Sequence, residues 1–198
     1  MQNNVGIYAS QISGHLYGGP FGAYDSLATV TVPSGGVASV TFAGIPAGYK
    51  HLQIRANVQT NRATYGIDSI QMRFNSDTGS NYTVHWLLGD GASASASSLT
   101  NPTTYLRIGD GQVGTSTGGS FGGAVIDVLD YQNTNKYKTV RGLVGVDHNG
   151  TVAGLGGRVG LGSGVWMNSG SAVSSINIFP QAGTLWTQDS SFALYGVK

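Results

Sequence analysis

Apolar and polar positions alternate with a period of two over much of this chain, the pattern of strands with one buried face. Within 50–60, Leu52, Ile54, Ala56 and Val58 share one side, and His51, Gln53, Arg55 and Asn57 share the other. Ile70, Met72 and Phe74 alternate with Gln71 and Arg73. Tyr82, Val84, Trp86 and Leu88 alternate with Thr83 and His85. The intervening Asn75-Ser76-Asp77-Thr78-Gly79-Ser80-Asn81 is dense in turn-forming residues, so the pattern predicts a hairpin joining these two strands.

Further strands are expected at 27–32, 37–43, 104–108, 121–131, 137–147, 173–179 and 191–197. Gln132-Asn133-Thr134-Asn135 is expected to turn a second hairpin. No amphipathic helical stretch separates the strands, which argues against an α/β fold. The expectation is an all-β protein, an antiparallel β-sandwich of jelly-roll type with about nine to eleven strands. Three Gly-rich stretches, 89–103, 109–120 and 148–164, are expected to be long loops of the kind that serve contacts.

The first 24 residues lack sustained alternation. Ile7, Tyr8, Leu16, Tyr17, Phe21 and Tyr24 are spaced by Gly and Ser. The expected organisation is therefore an extended N-terminal arm over 1–24 followed by one sandwich domain over 25–198. Aromatic side chains bury large area with few torsions to freeze, so Tyr8, Tyr17, Phe21 and Tyr24 are candidate contacts to a neighbouring subunit. An arm packed on its own domain would use them equally well.

Composition narrows the chemistry. Of 198 residues, 32 are Gly and only 10% are charged, against about 25% in an ordinary domain. All nine acids are Asp. A net charge of +1 spread over ten scattered Lys and Arg leaves no basic stripe for a nucleic-acid backbone. Zero Cys excludes disulfides, thiolate nucleophiles and Cys-bearing zinc sites. Residues 1–14 have neither the basic start nor the apolar run of a secretory signal, and no window suggests a membrane span. A neutral, soluble, β-rich protein remains.

Candidate sites are few. Asp127 and Asp130 lie three apart on one strand and so point to opposite faces; Asp127 is placed to pair with Arg141 on the adjoining strand, and Asp130 to shape the turn before Asn133. His15, His51, His85 and His148 have no metal-ligand spacing. The 75–81 segment has the Asn/Asp density of a calcium loop without its distal acid. The 154–164 run lacks the Gly-Lys-Ser/Thr ending of a phosphate loop, and there is no Gly-x-Ser-x-Gly nucleophile elbow in a strand–turn–helix setting. No catalytic residue, metal or cofactor is expected. Trp166 and Trp186, beside Gly-rich or loop segments, are the candidate glycan or partner contacts, while Trp86 falls on the inward phase of its strand.

The segments IPAGYKHLQIRANVQT (45–60), IQMRFNSDTGSNYTVHWLLGDG (70–91), AVIDVLDYQNTNKYKTVRGLVGVDHNG (124–150) and SSFALYGVK (190–198) resemble structural proteins of tailed bacteriophages, of the kind found in marine cyanophages and related prophages. The resemblance spans about the last 150 residues and rests on strand and turn patterns rather than a catalytic motif. It implies a virion component assembled in the host cytoplasm: a capsid decoration or knob protein that contacts other virion proteins and forms a homo-oligomer. A tail- or fibre-associated module that reads a host receptor or surface glycan is the alternative it implies.

Overall fold

The computed structural model describes residues 22–63, 66–99, 101–113, 119–147 and 157–198. Twelve strands account for its regular structure: β1 (Tyr24–Thr31), β2 (Val40–Phe42), β3 (His51–Thr60), β4 (Ile67–Phe74), β5 (Tyr82–Gly89), β6 (Ala94–Ser98), β7 (Leu106–Val113), β8 (Gly122–Leu129), β9 (Lys138–Val146), β10 (Arg158–Trp166), β11 (Ile176–Pro180) and β12 (Ser191–Val197). No helix occurs among the described residues.

The strands form two antiparallel layers. The larger runs β1-β12-β3-β8-β9-β10-β5-β6, the smaller β2-β11-β4-β7. A two-residue parallel pairing of Gln59 and Thr60 with Gln112 and Val113 joins them at one corner. The chain stays within a layer only from β5 to β6, β8 to β9 and β9 to β10, and crosses between layers at every other step. Setting aside β1, β12 and the β8–β9 hairpin leaves β2-β11-β4-β7 facing β3-β10-β5-β6, the strand order of a jelly roll. The expected fold class is therefore the observed one, with a hairpin inserted between β3 and β10.

Of the two expected hairpins, one is corrected and one is observed. The 75–81 turn does not make a hairpin: β4 pairs with β7 and β11, whereas β5 pairs with β6 and β10. It is a corner that carries the chain from one layer to the other. Asn75 and Ser76 take positive φ (49° and 57°) there. The Asp77 carboxylate accepts from the amide of Gly79, the side chain of Asn81 and Nε1 of Trp166, the last at 2.7 Å. The second hairpin does form between β8 and β9, with Asp127 opposite Arg141 in register and 3.6 Å from it. Asp130 turns the chain with φ 46° and accepts the amide of Asn133.

All three stretches expected to be loops contain strand residues, and the 109–120 stretch begins with the end of β7 (Leu106–Val113). Ala94–Ser98 forms β6 at one edge of the larger layer, and Arg158–Trp166 forms β10 at its centre. At the other end, Tyr24 is the first residue of β1 and pairs with Val197, so it belongs to the sandwich rather than to an arm. Tyr8, Tyr17 and Phe21 lie outside the described residues.

The core fills the space between the layers. Leu52, Ile54 and Val58 of β3, Ile70, Met72 and Phe74 of β4, and Ile126 and Val128 of β8 are completely buried. Glycines thin the middle of the larger layer. Gly142 of β9 and Gly162 of β10 are direct neighbours, flanked in their row by Trp86 and Ile126. A Cβ on Gly142 would lie 2.5 Å from Ile108 Cγ2, and one on Gly162 would lie 2.6 Å from the Ile108 carbonyl oxygen. Only Gly lets the β7 backbone press this closely onto the facing sheet.

Candidate functional site

An antiparallel sheet with one covered face ordinarily shows polar side chains on the other. The outer face of the larger layer departs from that rule over four adjacent strands. Leu87 (β5), Leu161 (β10), Leu143 (β9) and Val125 (β8) occupy one register row and all point outward. Ala96 of β6 extends the row at one end and Arg55 of β3 at the other. Exposure runs from 38% at Val125 to 54% at Leu161. The cross-strand neighbours touch one another, which makes a continuous aliphatic stripe rather than scattered surface residues.

The rows on either side differ. Along one runs a polar series: His85, Ser163, Arg141, Asp127 and Gln53. Gln53 Nε2 donates to Asp127 at 2.9 Å, and Arg55 Nε donates to Gln53 at 3.0 Å. Along the other run Ala94, Gly89, Val159, Gly145, Gly123 and Asn57, so Val159 is the one large apolar side chain of the row and has glycine on both sides. Stripe and polar row enclose an open trough of about 950 Å³ that reaches from Ser97 and His85 to Val125 and Asp127.

The cause lies in β10. Its sequence, Arg-Val-Gly-Leu-Gly-Ser-Gly-Val-Trp, alternates large and small, and the alternation is inverted relative to an ordinary strand. Gly160, Gly162 and Gly164 face the core, where Ile108 and Leu106 of β7 lie against Gly162 and Gly164, and Leu88 and Val144 crowd Gly160; Val159, Leu161 and Ser163 face out. The same phase places Gly142 and Val144 of β9 inside and Leu143 outside.

Two of the three tryptophans depart from their expected places. Trp166 and Trp186 are 1% and 0% exposed, so neither is a glycan or partner contact. Trp166 ends the inward face of β10, packs edge-on against Phe74 at 5.5 Å and donates to Asp77. Trp186 packs on Phe192 at 5.3 Å and donates Nε1 to the Ile178 carbonyl. Its own backbone pairs with Val37. Trp86 has the inward phase expected of it but stays half-buried, with the Arg107 guanidinium 4.6 Å from its ring. Tyr24 is open at the sheet edge, stacked edge-on with Tyr195, and Arg55 reaches both rings.

Charged groups drawn inward have structural partners. Asp68 is buried and accepts from Thr60, from its neighbour's amide at Ser69 and from the amides of Ala182 and Gly183. Burial opposes the charged form of Asp77, but the bonds from Trp166, Asn81 and Gly79 outweigh it and hold the carboxyl below its ordinary value. The buried Lys138 ammonium donates to the carbonyls of Lys136, Asn168 and Ser169, and burial lowers its pKa. Burial pushes the Tyr82 hydroxyl up to about 12. His51 Nδ1 accepts the Asp130 amide at 2.9 Å, and Lys136 pairs with Asp130. Among the described residues no group of three His or Asp side chains is placed to hold a metal, and no helix is long and apolar enough to cross a membrane. His15 and His148 lie outside the described residues.

The stripe residues are those sequence reasoning passed over. Leu87, Val125 and Leu143 interrupt the alternation as Trp86-Leu87-Leu88, Ala124-Val125-Ile126 and Leu143-Val144. Unbroken apolar runs in strands signal that both faces meet a covering surface. A scan against protein-family models matches no family, and searches of curated proteins and of solved structures find no match for this chain.

Proposed function

We propose that this chain is a non-enzymatic structural component of a phage particle, a capsid decoration or knob protein that attaches to the shell and projects outward. The observation that carries it is the outward aliphatic row Leu87–Leu161–Leu143–Val125, a surface suited to being covered by protein. A rigid jelly roll supplies the frame, and the polar groups it draws inward are spent on turns and layer crossings. The low charge allows many copies to sit close together without mutual repulsion.

The stripe also bears on the alternative of a tail- or fibre-associated glycan reader. Sugar platforms use open aromatic rings, whereas the outward side chains of this trough are Leu and Val, its Trp86 has the inward phase of β5 and is half-buried, and the two tryptophans named for that role are inside the core. Protein is the better-matched partner. Protein mass spectrometry of purified particles, followed by reconstruction of the intact particle, tests the reading. It predicts the chain on the head surface, assembled in the host cytoplasm. Absence from particles, or a position confined to fibre tips, would overturn it.

A further inference from the structure

The register of the outer face is self-complementary, and we infer that its occupant is a second copy of this chain, packed face to face about a two-fold axis. The inference rests on the interface reading above and names the partner. Consider an axis parallel to the strands and passing between β9 and β10. Rotation about it places Leu161 against the second copy's Leu143, and Leu87 against its Val125. Every member of the aliphatic stripe meets another member.

The two flanking rows match under the same operation. Val159 comes over the second copy's Gly145, so the one large apolar side chain of the row enters the space its counterpart leaves open. Gly89 meets Gly123. In the polar row, His85 meets the second copy's Asp127, and Arg141 meets its Ser163. No like charges are opposed. An isologous contact demands such reciprocity in all rows at once, because each pair occurs twice.

Size and geometry agree. The six strands that face one another under this rotation, β6 to β3, at about 4.8 Å spacing and about seven residues of about 3.3 Å each, offer a face of roughly 670 Å². Standard stable interfaces take about 600–1,000 Å² from each partner. Sheets pack face to face with strands nearly aligned, which keeps such rows in register across the contact.

The test is sedimentation velocity of the full chain over a concentration series. The wild type should run with twice the mass of one chain. Leu143→Glu and Leu161→Lys should each weaken association about 100-fold or more, since a lone charge is buried at the axis. Mixed together they should recover the double-mass species, because the Leu143→Glu carboxylate then meets the Leu161→Lys ammonium across the axis. Both positions are half exposed in the single chain, so thermal melts should confirm that the variants fold. A wild type that stays single at every concentration overturns the inference, as does a double-mass species that both variants retain. Separate failures can be told apart. If the chain stays single yet Leu143→Glu blocks incorporation into particles, the face serves another virion protein and only self-association falls. If the chain pairs but no particle contains it, the pairing stands and the virion reading falls.

Discussion

The two faces of β10 carry opposite chemistry from one nine-residue sequence. Its inner face is Gly160, Gly162, Gly164 and Trp166; its outer face is Val159, Leu161, Ser163 and Val165. Inside, β7 approaches so closely that backbone rather than side chains fills the space beside Gly162. Outside, Val159 and Leu161 stay half exposed, and none of the described residues covers them. The difference teaches that burial in this sandwich follows the distance between layers, not the hydrophobicity of the residue. Large apolar side chains are displaced outward where the layers nearly touch.

The contrast predicts very different responses to substitution along one strand. Trp166→Ala should have the largest effect, about 3–5 kcal/mol of stability, because it leaves a cavity against Phe74. It also strands the Asp77 carboxylate without its indole donor. Chemical denaturation should show the midpoint falling sharply. Gly162→Val comes next, at about 3 kcal/mol, the upper end of overpacking costs. The new Cβ would press on the Ile108 carbonyl, which is backbone and cannot rotate away. A near-wild-type denaturation midpoint for Gly162→Val would refute the close approach of β7.

A smaller effect concerns the corner that holds Trp166 in place. Asp77→Asn removes the charge from hydrogen bonds worth about 1.5–3 kcal/mol when the acceptor is ionised, and some of that survives in the amide. The folded carboxyl lies below its ordinary value of 3.8. Its stabilising contribution is therefore complete above that value and disappears as the pH falls through the folded value. Thermal melts of the wild type should lose stability on acidification in that range, and those of Asp77→Asn should show less of this dependence. Equal pH profiles would show that the Asp77–Trp166 bond contributes nothing net.

How much was legible in the sequence follows from the same physics. Strands whose large residues face inward, such as β3 with Leu52, Ile54 and Val58, announced themselves by alternation. So did the β8–β9 hairpin and its Asp127–Arg141 pairing. In β10 the inward residues are glycines, and Gly-rich sequence looks like loop unless the alternation of Gly with Val, Leu and Ser is counted. In β6 the residues are Ala and Ser throughout, too small to mark a face. The 75–81 turn shows the limit of local chemistry: its residues dictate that the chain reverses, but not whether the next strand joins the same sheet. That choice depends on β7, β10 and β11, which are distant in sequence and compete for the pairing edges of β4 and β5. The placement of the tryptophans was illegible for a related reason. Trp166 reads as loop-flanked because the glycines of β10 mask its strand signal, and its donor bond to Asp77 spans 89 residues.

The smallest change in stability belongs to the outer face, and there a null effect on folding is itself informative. Leu161→Ser removes a side chain that already leaves 54% of its surface in water. Surface substitutions of this kind usually shift stability by no more than about 0.5 kcal/mol. The neighbours Leu87 and Leu143 remain, so the sheet keeps most of its cross-strand contact. Its denaturation midpoint in dilute solution should match the wild type within that margin. At high concentration the two should diverge, since any covering partner adds stability to the wild type by mass action and adds less to the variant. A midpoint that falls by several kcal/mol at high dilution would mean that the stripe is part of the chain's own core, and the contrast between the two faces of β10 would collapse.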